Sequence, residues 1–171
     1  MVKNKIVGII PARFKSSRFP GKPLADIHGK PMIWHVYQRA TKAKLLDEIY
    51  VATDDQRIKE VCDSFNMQVI MTSDTHTTGS DRLSECASRI NADFYVNIQG
   101  DEPMIDPDSI DSVTQEILIE ENENIVASGA FMPINDPSDI IDSNVVKVII
   151  SNSGVAISYS RSPIPYPKDG K

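Results

Sequence analysis

Short apolar runs alternate with amphipathic helical patterns along the first two thirds of the chain. The runs are rich in Val, Ile, Tyr and Phe, a composition typical of buried β-strands. They predict strands at residues 5–10, 48–52, 68–71 and 94–99. Between them, apolar residues recur at three- and four-residue spacing, which predicts helices that bury one face.

The segments between the runs contain helix-start signals. Pro31 suits the first position of one helix, Ser80 suits the N-cap of another, and Asp106-Pro107 opens a further one. Because a strand, a helix and a second parallel strand form a right-handed crossover, this order predicts a mostly parallel sheet covered on both faces. The expected fold class is therefore α/β, with three layers in the order α/β/α.

The pattern changes after residue 123. A fifth strand is predicted at 125–131. Apolar runs at 145–150 and 155–160 flank a Ser-Asn-Ser-Gly turn at 151–154, which predicts a hairpin. An antiparallel hairpin near the C-terminus is a common addition to a parallel sheet.

The composition is that of an ordinary globular domain, with 171 residues of which 40% are hydrophobic and 25% charged. The length suits one domain, or one domain with a small appendage, and we expect a single domain over 1–171 with a core of its own. No apolar run approaches the roughly 18 residues that a membrane helix needs, so no membrane partner is expected. Cys62 and Cys86 each lie on the apolar side of a predicted helix, which favours buried free thiols and a cytoplasmic location.

Positive charge is concentrated near the start of an otherwise acidic chain. Seven of the 18 Lys and Arg residues lie within residues 1–30, where Asp26 is the one acid, although the net charge is −6. A local positive field attracts an anionic ligand. Nucleic-acid binding instead needs a basic surface overall, so we expect no nucleic-acid partner.

These cations directly follow the first predicted strand, at Arg13, Lys15, Arg18 and Lys22. In an open parallel sheet, ligands bind beyond the carboxyl ends of the strands, so this loop suits a polyanion. The loop lacks the P-loop spacing G-x-x-x-x-G-K-[ST], so phosphate binding would depend on side chains and loop amides. A solvated basic turn is the alternative interpretation.

The strand predicted at 94–99 leads into Gly100 and Asp101, which places a carboxylate at the same edge of the sheet. There a hard cation such as Mg²⁺ can bridge a carboxylate to substrate phosphates. Phosphoryl or nucleotidyl transfer needs cations and a metal-binding carboxylate that converge on one site. A turn-forming aspartate is the simpler alternative for Asp101.

Several motifs occur in the order and spacing of one known family. They are Pro11-Ala12-Arg13, Pro20-Gly21-Lys22-Pro23-Leu24, Val51-Ala52-Thr53-Asp54, Gly79-Ser80-Asp81-Arg82, Gln99-Gly100-Asp101-Glu102-Pro103 and Ser160-Arg161-Ser162-Pro163. Together they resemble the sugar-acid cytidylyltransferases over almost the whole chain. The resemblance implies a fold of the nucleotide-diphospho-sugar transferase type. It also implies a Mg²⁺-dependent reaction in which the anomeric hydroxyl of an acidic sugar attacks the α-phosphate of CTP, giving a CMP-sugar and pyrophosphate.

The resemblance further implies roles for individual residues. The triphosphate would be held by Arg13, Ser17, Arg18 and Lys22. Arg13 and Lys22 would act in catalysis with Asp101, the metal ligand. The cytosine and its ribose would be surrounded by Thr72, Ser73, Gly79, Ser80 and Arg82. Gln99 would face the sugar and Arg161 its carboxylate, a group that a guanidinium can bind in a bidentate manner. A surface arginine at a hairpin end is the alternative for Arg161.

The acceptor that the resemblance implies is 3-deoxy-manno-octulosonate (KDO), activated for lipopolysaccharide precursor synthesis. An amino-substituted KDO or a nonulosonic acid is an alternative acceptor on the same scaffold. A third interpretation is a non-catalytic nucleotide-binding remnant, because family members continue beyond residue 171. The 1–171 nucleotidyltransferase domain would then lack the C-terminal part of the family fold. For the full-length chain the resemblance implies a homodimer.

Overall fold

Strands and helices alternate in the computed structural model, which describes residues 3–15, 19–120 and 124–165. The chain divides into two compact units, residues 1–128 and 129–171. The strands are β1 (Ile6–Ala12), β2 (Asp26–Ile27), β3 (Lys30–Pro31), β4 (Glu48–Thr53), β5 (Val69–Met71), β6 (Phe94–Asn97), β7 (Lys147–Ile150) and β8 (Ala156–Ser160). The helices are α1 (Met32–Ala40), α2 (Gln56–Ser64), α3 (Gly79–Arg89), α4 (Pro107–Ile119) and α5 (Pro137–Ile141), and a 3₁₀ turn occupies Lys22–Leu24.

A four-stranded parallel sheet with the order β5-β4-β1-β6 forms the centre of the first unit. The side chains of β1 alternate between its two faces. Val7 and Ile9 belong to a buried cluster with Cys86 of α3, whereas Ile10 belongs to a second cluster with Ile33 of α1. Helices therefore cover both faces, and the predicted three-layer α/β fold is confirmed.

All four strands predicted from the apolar runs form this sheet, with ends displaced by at most two residues. Helix α4 begins at Pro107, as predicted, whereas Pro31 precedes α1 as its N-cap instead of occupying the first helical position. The antiparallel pair β2 and β3, two residues each, was not predicted.

The prediction of Ser80 as the N-cap of α3 is wrong, because Thr78 occupies that position. Thr78 Oγ1 accepts the Asp81 N–H, and the Asp81 carboxylate accepts the Thr78 N–H. This capping box satisfies two backbone donors at once. A helix capped by Ser80 would have Leu83 at the third position, and a leucine side chain cannot accept the reciprocal bond.

Both cysteines are free and fully buried, as predicted. Burial raises the pKa of the Cys62 thiol to about 12, because the thiolate would lose its hydration. None of the helices in the described part of the chain is long and apolar enough to cross a membrane.

The second unit contains α5 and the antiparallel hairpin of β7 and β8, and the hairpin was predicted. The strand predicted at 125–131 does not form, and Val126 and Phe131 are exposed. An apolar run favours extended backbone, but a strand also needs a neighbouring strand that completes its hydrogen bonds. Among the described residues no strand pairs with this segment.

Candidate active site

The carboxyl ends of the parallel strands open into a cleft of about 630 Å³ in the first unit. It is lined by Pro11, Ala12, Arg13, Phe19, Lys22, Pro23, Thr78, Gly79, Arg82, Gln99, Gly100 and Asp101. The loop after β1, the turn after β6 and the start of α3 contribute most of this lining. Ligand sites in open α/β sheets are found at this edge.

Lys22 and Asp101 meet directly in the cleft, with 2.6 Å between Lys22 Nζ and Asp101 Oδ2. Both side chains are partly exposed, at 37% and 54%. Lys22 begins the 3₁₀ turn after Gly21, whose φ of 73° is the left-handed conformation that glycine adopts without strain. The Gly21 N–H donates to Phe14 O at 2.8 Å and closes the basic loop. The structure therefore brings together the loop cation and the strand-end carboxylate, which are 79 residues apart in sequence.

Gly100 allows the turn after β6 to approach the end of β1 closely. A Cβ atom at this position would lie 2.5 Å from Pro11 O, well inside van der Waals contact. Glycine is therefore required here for steric reasons, and the close approach determines where Gln99 and Asp101 enter the cleft.

Arg13 enters the cleft from the end of β1, and its side chain is held by the chain segment before α3. Arg13 Nη1 donates to Thr77 O at 3.0 Å. Its guanidinium has further N–H donors, and in the cleft these can bind an anion.

Arg82 is almost fully buried at the base of the cleft, where its guanidinium contacts Thr72 Oγ1, Ser73 O and Asp54. The Asp54 contact, 3.1 Å between Arg82 Nη2 and Asp54 Oδ1, is an ion pair without the alignment of a hydrogen bond. Asp54 was not among the predicted site residues. Its place directly after β4, at the same sheet edge, was the signal that could have identified it.

Glu85 is a second residue that the sequence interpretation missed. Its carboxylate accepts hydrogen bonds from Ser73 N, His76 Nε2 and Arg89 Nη1. These donors, the Ser73 N–H first among them, lower the pKa of Glu85. Its position on α3, six residues after the predicted Gly79, was the only sequence signal.

The predicted site residues fall into four groups. Those that line the cleft are Arg13, Lys22, Gly79, Arg82, Gln99 and Asp101. Thr72 and Ser73 contact Arg82 but do not line the cleft, and Ser80 lies in the first turn of α3. Ser17 and Arg18 lie outside the described residues. Arg161 belongs to the second unit, where its Nη1 donates to Ser143 O at 2.9 Å.

Comparison with known sequences identifies the family. Residues 7–170 match the family model described as cytidylyltransferase. The chain belongs to the cytidylyltransferase family. One cytidylyltransferase similar to it is the 3-deoxy-manno-octulosonate cytidylyltransferase of Geobacter metallireducens, which is 48% identical over 96% of this chain and 64% of the relative. The mitochondrial 3-deoxy-manno-octulosonate cytidylyltransferase of Arabidopsis thaliana is 46% identical over 99% of this chain and 58% of the relative.

One solved structure shows the same family relationship, and a more distant one shows the same fold. CMP:2-keto-3-deoxy-manno-octonic acid synthetase complexed with CTP matches with a TM-score of 0.85 and 40% identity, over 96% of this chain and 67% of that chain. A cytidylyltransferase from Leptospira borgpetersenii matches with a TM-score of 0.61 and 24% identity, over 69% of this chain and 50% of that chain, which supports the fold alone. The chain spans 64–65% of the length of the Geobacter cytidylyltransferases that it matches.

Proposed function

We propose that this protein transfers a cytidylyl group from CTP to KDO, giving CMP-KDO and pyrophosphate. The observation that carries the proposal is the 2.6 Å contact between Lys22 and Asp101 in a cleft at the carboxyl edge of the sheet. Further support comes from the 48% identity to a 3-deoxy-manno-octulosonate cytidylyltransferase and the similarity to a synthetase complexed with CTP.

The chain's own residues provide binding and charge stabilisation. Arg13 and Lys22 bind the triphosphate and neutralise the charge that develops on the departing pyrophosphate. The nucleoside lies against the start of α3, where Gly79 and Arg82 line the cleft and Ser80 lies in the first turn. Thr72 and Ser73 complete this part of the nucleoside site through their contacts with Arg82. Gln99, which follows β6 at the same edge of the sheet, orients the sugar so that its anomeric hydroxyl lies in line with the α-phosphate.

The residues present fit a magnesium ion. Asp101 Oδ2 accepts from Lys22, whereas Asp101 Oδ1 has no hydrogen-bond partner among the described residues, so the carboxylate can coordinate a cation. The described residues contain no cluster of three or more His, Cys, Asp or Glu side chains that could hold a metal. One carboxylate is nevertheless sufficient, since Mg²⁺ takes its other ligands from substrate phosphates and water. When bound, the ion would neutralise negative charge on the substrate phosphates.

Two further parts of the proposal concern the cellular compartment and the oligomeric state of the protein. The two buried free thiols support a reducing compartment, which agrees with a cytoplasmic enzyme of lipopolysaccharide precursor synthesis. A homodimer stays a prediction, and sedimentation equilibrium of the purified protein tests it.

The experiment that tests the function measures pyrophosphate release. The purified protein is incubated with MgCl₂, each of the four ribonucleoside triphosphates, and KDO, an amino-substituted KDO or a nonulosonic acid. We expect turnover with CTP and KDO, confirmed by mass spectrometry of CMP-KDO. Faster pyrophosphate release with another sugar would show that this sugar, and not KDO, is the acceptor. Turnover with UTP but not CTP would overturn the nucleotide assignment. CTP binding without turnover with any sugar would overturn the enzymatic proposal in favour of a nucleotide-binding remnant.

A further inference from the structure

A loop at residues 73–78, between β5 and α3, is held at both of its ends. We call it the α3 loop. At its C-terminal end Asp81 accepts from Thr78 N at 3.0 Å and from Thr77 Oγ1 at 3.2 Å. Thr78 Oγ1 in turn accepts from the Asp81 N–H, so the last two loop residues are attached to the first turn of α3.

Glu85 holds the other end of the α3 loop. Its Oε2 accepts from Ser73 N at 2.8 Å and from His76 Nε2 at 2.6 Å, while its Oε1 accepts from Arg89 Nη1 at 3.0 Å. Arg89 also donates to Met71 O, the last residue of β5. The Glu85 side chain is 25% exposed, so water competes only in part for these bonds.

The C-terminal end of the α3 loop also holds the side chain of Arg13, which lines the cleft. Thr77 O accepts from Arg13 Nη1 at 3.0 Å, and this is the hydrogen bond that the described residues provide to the Arg13 guanidinium. A long arginine side chain loses rotamer entropy when it binds a ligand, and a bond that already orients it reduces that cost.

From this chain of contacts we propose that Glu85 is a positioning residue, which fixes the α3 loop so that Thr77 O orients Arg13 toward the triphosphate. The proposal deepens the proposed function and depends on its CTP site. Glu85 does not line the cleft, so its effect on the nucleotide must pass through the loop.

The test is a double-mutant cycle on CTP affinity, measured by titration calorimetry with MgCl₂. We expect Arg13→Ala to weaken CTP binding about 30-fold, the size of one charge-assisted contact. Glu85→Ala should weaken it about 5- to 10-fold. If Glu85 acts through Arg13, the double variant should bind no more than about 2-fold more weakly than Arg13→Ala alone.

Controls separate positioning from a general loss of structure. Glu116→Ala removes an exposed glutamate from α4 and should leave CTP affinity unchanged. Glu85→Gln keeps an oxygen that can accept the Ser73 N–H. The Glu85→Gln protein should therefore bind CTP more tightly than the Glu85→Ala protein. The cycle is repeated with this variant, and it takes the place of Glu85→Ala if the alanine variant does not fold.

The outcomes distinguish the two proposals. Fully additive effects of Arg13→Ala and Glu85→Ala, or an unchanged affinity in a folded Glu85→Ala protein, would overturn the positioning role alone. Absence of CTP binding by both the unmodified protein and Glu116→Ala would overturn the proposed function, and the positioning role with it.

Discussion

Gly100→Ala should damage the candidate site through a single backbone clash. The new Cβ would lie 2.5 Å from Pro11 O, whereas such carbon atoms essentially never come within 3.0 Å of another heavy atom. The turn after β6 must therefore move by at least about 0.5 Å away from the end of β1. Overpacking of this kind costs about 1–3 kcal/mol of stability, since backbone yields less readily than the end of a flexible side chain.

The same displacement moves Gln99 and Asp101 relative to Lys22. Because a misplacement of about 1 Å can cost about 10²-fold in rate, we expect kcat/KM for CTP to fall at least about 10-fold. Urea denaturation measures the stability, and pyrophosphate release at 25 °C measures the rate.

Gly129→Ala is the matched control, because a Cβ there meets nothing within 4 Å and its φ is not positive. It should change the free energy of unfolding by less than about 0.5 kcal/mol. The reasoning is refuted if Gly100→Ala is as stable and as active as Gly129→Ala.

The remaining predictions test charge and burial. Asp101→Asn should abolish turnover while leaving the urea midpoint nearly unchanged, and normal activity with Mg²⁺ would contradict its role as metal ligand. Lys22→Ala should raise KM for CTP more than it lowers kcat; an unchanged KM argues against triphosphate binding. Cys62 should resist a thiol reagent at about pH 8 and react in urea, since burial raises its pKa to about 12; rapid reaction in the native protein would contradict the buried core. Hydrogen bonds, first that of the Ser73 N–H, lower the pKa of Glu85, so the stability it contributes at neutral pH is lost as the pH falls through that lowered pKa. Urea midpoints measured between about pH 6 and pH 3 should therefore fall less for Glu85→Gln than for the unmodified protein, and equal slopes would count against this linkage.

The candidate site was predictable where its residues directly follow strands. Arg13 and Asp101 come after β1 and β6, and parallel strands direct their carboxyl ends to one edge, so sequence order alone implied that both residues lie at that edge. Glu85 could not be found in this way. It lies in the middle of a helix, and its function depends on which loop packs against that helix.

Periodicity and strand-end motifs in the sequence determined the layer order of the sheet unit and the edge at which the cleft lies, because local hydrophobic patterns decide which faces are buried. Only the tertiary structure decided that Lys22 pairs with Asp101, that Thr78 caps α3, and that residues 125–131 form no strand. Each of these outcomes depends on a partner that must be brought to hydrogen-bonding distance in space, and an amino-acid pattern does not specify that distance.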